Sequence, residues 1–111
     1  MPIRKGEVWW VSFDSALGGE IRKTRPAIVV SNDAANSALN RVVVVPLSSN
    51  TTKLYPAEAL VNIAGKSSKA MADQITTASK LRLSNCIGAV SRPDMRAVED
   101  AILVHLAIRR F

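Results

Sequence analysis

Arg22, Lys23 and Arg25 fall within four positions of the stretch GGEIRKTRPAIVVSND, which runs from Gly18 to Asp33. Pro26 ends that run of cations, and the apolar segment Ala27-Ile28-Val29-Val30 follows. A proline biases the residue before it towards extended backbone, so Arg25 is expected at the rim of a strand rather than out on a loop. A guanidinium held there can offer its planar fork to two phosphate oxygens at once. An arginine that merely solvates a strand end is the plainer alternative, and composition alone does not separate the two.

A second polar cluster, Ser48-Ser49-Asn50-Thr51-Thr52, follows directly on the apolar run Val42 to Leu47. Hydroxyls and an amide in that number make a hydrogen-bonding loop. Taken alone, such a cluster is also what ordinary turns contain.

Other chemistries lack their parts. His105 is the only histidine, so one subunit cannot build a two-histidine acid–base nuclease. A zinc centre needs a cluster of Cys and His that is absent. Gly18-Gly19 has neither the spacing nor the context of a phosphate or dinucleotide loop, and no G-x-S-x-G elbow occurs. The nine carboxylates are scattered, and only Glu99-Asp100 are adjacent, so a two-metal carboxylate site is not expected. No metal or cofactor is called for.

The 111 residues suit one domain, residues 1–111, with a small core that a homodimer would reinforce. With 48% apolar and 22% charged residues the composition is that of a folded globular chain. The net charge of +6 and a pI near 10.1 point to an anionic partner: nucleic acid, an acidic protein segment or a membrane surface. Cys86 is the only cysteine, so no intrachain disulfide forms and a reducing compartment fits. No apolar run reaches signal-peptide or membrane-span length, and a cytoplasmic protein without membrane attachment is expected.

The elements that must position these residues are mostly strands. Glu7 to Phe13 is rich in aromatic and β-branched residues. Ala27 to Ser31 and Arg41 to Leu47 read as strands buried on both faces. Ala57 to Ile63, Lys69 to Thr76 and Ile87 to Val90 are further candidates. Ser15 to Thr24 forms a long loop between the first two strands, of a length usually functional or mobile. A short helix is expected over Asp33 to Leu39 and a helical turn over Lys80 to Leu83. The last segment is a clear helix, capped by Ser91, with Pro93 and Asp94 in its first turn and a stripe of Val98, Ile102 and Leu106 beside Met95 and Ala101. Trp9 and Trp10 point to opposite faces of their strand, so at most one belongs to the core. The other would stack on a base or pack in a dimer. His105, beside the stripe, reads as a structural or surface histidine. Many short strands and one terminal helix make a mainly β protein: a small, partly open β-barrel with a C-terminal α-helix packed across it.

The two polar features and their spacing resemble the MazF/PemK family of toxin endoribonucleases from bacterial type II toxin–antitoxin pairs. The likeness begins with KGEVWWVSFD, Lys5 to Asp14, and continues through GGEIRKTRPAIVVSND with its Arg-Pro pair. VVVVPLSSN matches a strand ending in Ser or Thr, and DQITTASKLRL resembles an Asp-Gln-Ile segment with a basic turn after it. The resemblance covers essentially the whole chain, and the Arg-Pro segment is its most specific part.

The resemblance implies an SH3-like β-barrel that forms a homodimer, a fold shared with CcdB-like toxins that poison DNA gyrase. It implies a metal-independent endoribonuclease of the mRNA-interferase type, which cuts single-stranded RNA by attack of the 2′-hydroxyl to leave 2′,3′-cyclic phosphate and 5′-hydroxyl ends. It places catalysis on Arg25, with Ser48 as partner and Glu20 in a less settled role. The RNA path would run along Arg22, Lys23, Thr24, Ser49, Asn50, Gln74, Thr76, Lys80 and Arg82. A cognate antitoxin with an acidic C-terminal tail is the implied protein partner. The chain departs from the pattern twice: Thr76 stands where many members carry Arg, and Ser79 where an acid is common, which bears on cleavage preference. A non-catalytic basic barrel and a gyrase poison remain open as alternatives, because fold alone does not decide function.

Overall fold

The structure, a computed structural model, describes residues 2–13 and 23–109, the side chain of Lys23 excepted. Seven strands, β1 (Glu7–Phe13), β2 (Lys23–Val29), β3 (Arg41–Ser48), β4 (Glu58–Ile63), β5 (Lys66–Met71), β6 (Thr76–Ser79) and β7 (Leu83–Ala89), form one antiparallel sheet. Helix α1 (Asp33–Ala38) links β2 to β3, and α2 (Arg92–His105) closes the described chain. The strand order is β4-β5-β3-β2-β1-β7, with β6 also on β3. The two ends of that order approach one another, since a Cβ added to Gly88 of β7 would lie 4.0 Å from Ile63 of β4. The sheet is therefore curled into a nearly closed barrel, as the sequence leads one to expect.

The period-two alternation of strands explains the core. Val8, Ile28, Val45 and Leu47 lie in one buried cluster with Val61, Ile63, Val98 and Ala101, between the sheet and α2. Trp9, Val11, Ala27, Val29, Val42 and Val44 form the second cluster, on the other face, with Ile3 and Ala78. The central strands are thus apolar on both sides. Ile28 is fully buried, and truncating such a residue to Ala costs about 2–5 kcal/mol. Trp9 is the core tryptophan of its pair, while Trp10 is 37% exposed.

Helix α2 begins as its sequence dictates. Ser91 accepts the Asp94 N–H through its side chain, and Pro occupies the first turn. Val98 and Ala101 are buried, but Leu106 is about half exposed, because the helix ends at His105 and its last turn runs past the sheet. His105 is an exposed surface residue.

Several boundaries differ from the sequence reading. β2 starts earlier, at Lys23, because the Lys23–Pro26 segment pairs with Trp10–Phe13 of β1. The expected strand Lys69 to Thr76 is two strands with a 3-10 turn, Ala72–Gln74, between them. The break lets the chain serve β3 twice: β5 pairs with Leu47 and Ser48, and β6 with Arg41 to Val44. β7 begins at Leu83 rather than Ile87, and its mostly exposed side chains carry no apolar pattern to announce it. In β4 the buried phase is Ala59, Val61 and Ile63, which leaves Leu60 on the surface.

Candidate active site

The site arises where β2 and β3 part. Their ladder runs Val29↔Val44, Ile28↔Val45 and Ala27↔Pro46, and stops there. Pro46 has no N–H to continue it. Beyond that point β3 bonds only to β5 on its other side, through Leu47↔Ala70 and Ser48↔Lys69. Extending the antiparallel register by one two-residue step sets Arg25 opposite Ser48, across the gap the ladder has left. The sequence feature that motivated Arg25, its place before a proline, is realised: Arg25 is paired with Val11 and Pro26 with Trp10, on a fixed strand.

A cleft of about 620 Å³ occupies this gap. Thr24, Arg25, Ser48 and Ser49 line it together, so four of the sequence-predicted residues converge. Its other walls are Trp10, Pro26 and Ile87 on the barrel side, and Ile63, Ala64, Lys66 and Ser68 on the β4–β5 hairpin. That volume lies within the ~300–1,000 Å³ typical of ligand pockets.

The described lining of the cleft is cationic, with Arg25 and Lys66 and no carboxylate. Among the described residues Arg25 makes no ion pair. Ser48 Oγ accepts the Asn50 backbone N–H at 3.2 Å, which leaves its own proton to donate towards a bound group. A partly buried guanidinium and a hydroxyl donor facing one gap form a receptor for a tetrahedral oxyanion such as phosphate.

The remaining expected residues are placed variously. Asn50 lies outside the cleft lining and its Oδ1 accepts from Thr52 N at 3.3 Å and Thr52 Oγ1 at 2.7 Å, so it shapes the loop after Ser48. Arg82 Nη1 donates to the Ser12 carbonyl at 3.2 Å, and Ser12 is paired with Thr24, so Arg82 sits at the same end of β1–β2 as Arg25. Gln74 lies in the 3-10 turn and donates to Met71 Sδ at 3.6 Å. Thr76 opens β6 opposite Val44, midway along β3, and Lys80 follows β6 at the far end of β3, its N–H donating to the Asn40 carbonyl at 3.0 Å. From Arg41 to Ser48 is seven strand steps of ~3.3 Å, roughly 23 Å. Lys80 there lines a separate hollow with Arg4, Asp33 and Asn36. Glu20 and Arg22 fall outside the described residues, as does the Lys23 side chain.

Lys66, Ser68 and Ile87 were not among the expected site residues. The pair Ala64-Gly65, with φ of 52° and 81°, makes a tight two-residue hairpin turn that delivers Lys66 opposite Ile63. A turn there is readable from Ala-Gly between strands, but nothing local says that the hairpin tip faces Arg25. Ile87 is turned by irregular pairing: β7 carries extra residues against β1 between Val8 and Trp9, and again between Trp9 and Val11. Such bulges re-aim side chains near functional sites.

Among the described residues no group of three His, Cys, Asp or Glu side chains gathers to hold a metal ion, and no helix is long and apolar enough to cross a membrane.

Comparison with known proteins agrees with this geometry. Residues 4–106 match the family described as PemK-like, MazF-like toxin of type II toxin–antitoxin system. The endoribonuclease MazF9 of Mycobacterium tuberculosis is 38% identical over 113 residues, an alignment spanning 94% of this chain and 96% of that protein. A solved endoribonuclease from a mycobacterial species superposes with a TM-score of 0.84 at 21% identity, covering 100% of this chain and 97% of that one. A second, solved in complex with its cognate antitoxin and also mycobacterial, gives 0.80 at 24% identity, covering 98% and 99%. These two likenesses concern the fold. The family match and the identity to MazF9, each spanning nearly the whole chain, show that this protein belongs to the PemK-like, MazF-like toxins of type II toxin–antitoxin systems.

Proposed function

We propose that this chain is the endoribonuclease toxin of its toxin–antitoxin pair, cutting single-stranded RNA at the cleft between β2 and β3. The observation that carries the reading is the placement of Arg25, without an ion-pair partner among the described residues, and Ser48 in one cleft. Phosphoryl transfer asks mainly for positioning and for stabilisation of charge on the equatorial oxygens. Arg25 supplies the charge and Ser48 a hydrogen bond to the same phosphate.

The 2′-hydroxyl of the nucleotide 5′ to the cut attacks the phosphorus. The new O2′–P bond closes the cyclic phosphate while the P–O5′ bond breaks, and the departing 5′-oxygen leaves as a hydroxyl. An arginine side chain is a poor base near neutral pH, so Arg25 acts as electrostatic stabiliser and as proton donor to the leaving oxygen. The 2′ proton passes to Glu20 or to water. An unchanged cleavage rate in Glu20→Gln leaves water as the acceptor.

The net charge of +6 suits RNA and equally an acidic, partly disordered antitoxin tail that folds over the cleft and excludes it. A homodimer would supply the apolar burial that so short a chain lacks. The single exposed cysteine fits action in the reducing cytoplasm. The direct test is cleavage of a mixed single-stranded RNA in excess EDTA by the native protein and by Arg25→Ala. Cutting by the first and not by a folded second supports the reading; equal cutting by both removes Arg25 from it.

A further inference from the structure

Trp10 is 37% exposed, while its neighbour Trp9 is 4% exposed and donates its indole N–H to Glu7 Oε1 at 3.1 Å. The exposed indole lines the cleft that holds Arg25 and Ser48. Trp10 is paired with Pro26, the residue next to Arg25, so its position is fixed by the same ladder that fixes the cation. Ile87, brought to the cleft by the irregular β7, and Pro26 continue the apolar wall beside the indole.

The facing wall is different in kind. Lys66 lines the cleft from the β4–β5 hairpin, on a turn braced by the Asn62 side chain, whose Oδ1 accepts the Gly65 N–H at 3.0 Å. Among the described residues Lys66 makes no ion pair, and it adds a second cation to a cleft whose described lining holds no carboxylate. One flat apolar face, one cation at the strand gap and one cation on the hairpin match a nucleotide within a strand: its base and the two phosphates that flank it.

We propose that the cleft holds one nucleotide flanking the scissile phosphate, its base stacked on Trp10 and its outer phosphate held by Lys66. The inference rests on the reading of Arg25 and Ser48 as the phosphate site. It settles on base stacking for Trp10, which the sequence left open between stacking and dimer packing, and adds Lys66 as a positioning cation that the sequence pattern did not point to. Stacking on an indole is tolerant of base identity because every base presents a π-face. Trp10 therefore sets how tightly the strand is held, while discrimination among bases lies with the polar groups around the base edge, Ser49 and Ser68 among those lining the cleft. Lys66 acts as a point charge and contributes through counterion release.

The test uses the full chain and a fluorescently labelled RNA oligonucleotide carrying a site that the native protein cuts, made uncleavable by a single 2′-deoxy substitution at the attacking position. Binding is read by anisotropy for the native protein, Trp10→Ala, Trp10→Phe and Lys66→Ala, with RNAs lacking the base on either side of the cut. Trp10→Ala is expected to bind about 5- to 150-fold more weakly, and Trp10→Phe, which keeps an aromatic face, to recover most of that loss. One of the two abasic RNAs should lose the same factor against the native protein and nothing further against Trp10→Ala. Lys66→Ala should lower the slope of log affinity against log salt by about 0.7. Equal binding by all variants, or losses from Trp10→Ala and both abasic RNAs that simply add, overturns the subsite while native cleavage leaves the phosphate site standing. A native protein that neither cuts nor binds RNA removes both readings. A Trp10→Ala protein that becomes monomeric with unchanged RNA affinity assigns the indole to packing against a second copy and overturns the stacking role.

Discussion

Lys69 stands opposite Ser48 in the β3–β5 ladder and ties down the loop that Ser48 opens. Its ammonium donates to Glu58 Oε1 at 3.1 Å and to the Lys53 carbonyl at 3.2 Å, and lies 5.7 Å from the centre of the Tyr55 ring. The same Glu58 oxygen accepts the Tyr55 N–H at 2.9 Å. The pair is nearly sealed, with side-chain exposures of 11% and 8%. A cross-strand partner of Ser48 thus holds both ends of the segment between β3 and β4.

Lys69→Met leaves Glu58 as an unpaired, mostly buried carboxylate. The expected cost is about 3 kcal/mol, the low end for breaking a buried pair, read from urea unfolding. Adding Glu58→Gln should return part of it, because the stranded charge is gone. A Lys69→Met protein as stable as the native one would show that the pair does not anchor the loop.

Arg25→Lys keeps a positive charge and loses the planar fork. If the guanidinium grips two phosphate oxygens, cleavage should fall roughly 100-fold or more, with the unfolding midpoint nearly unchanged. Cleavage by Arg25→Lys at close to the native rate would reduce Arg25 to a source of charge alone.

Ser48→Ala removes the hydroxyl proposed to donate to the phosphate, and with it the acceptor for the Asn50 N–H. Its cleavage rate is expected to drop by roughly two to three orders of magnitude. Ser48→Thr, which keeps the hydroxyl, should retain most of the rate. Equal losses in the two variants would mean that the position matters for loop shape and not for its hydroxyl.

Asp33 gives the clearest pH dependence. Its carboxyl is held below the ordinary value of 3.8, chiefly by the Lys5 backbone N–H, which it accepts at 2.7 Å; partial desolvation opposes this, and Asn36, Arg4 and Lys5 reinforce it. A depressed folded-state value means that the ionised group favours the folded state. Its contribution is present above the ordinary value and is lost as pH falls through the lower one. Asp33→Asn should lower Tm at pH 7 and flatten its decline on acidification. A parallel acid limb in the two proteins would remove Asp33 from the acid transition.

How much of this could be read from sequence divides along physical lines. Buried strands such as Arg41–Ser48 and the capped helix α2 announce themselves through apolar runs and local cap chemistry. Arg25 was legible because a proline acts on its immediate neighbour. β7 was only half seen, since an exposed edge strand held by its ladder with β1 carries no hydrophobic period. The break between β5 and β6 was hidden because it answers to β3, far away in sequence. Lys66 and the choice between Trp9 and Trp10 depended on which segments meet in space, which a single strand's pattern does not encode.

The central claim is a 2′-hydroxyl attack on a phosphate held by Arg25 and Ser48. The most direct measurement takes one RNA that the native protein cuts and replaces only the 2′-hydroxyl at the cut by hydrogen, then identifies the product ends of both substrates in excess EDTA. The account predicts cyclic phosphate and 5′-hydroxyl ends from the unmodified RNA and no cut at that position in the deoxy substrate. Cleavage of the deoxy substrate at the same position, or 5′-phosphate ends from either RNA, would contradict it.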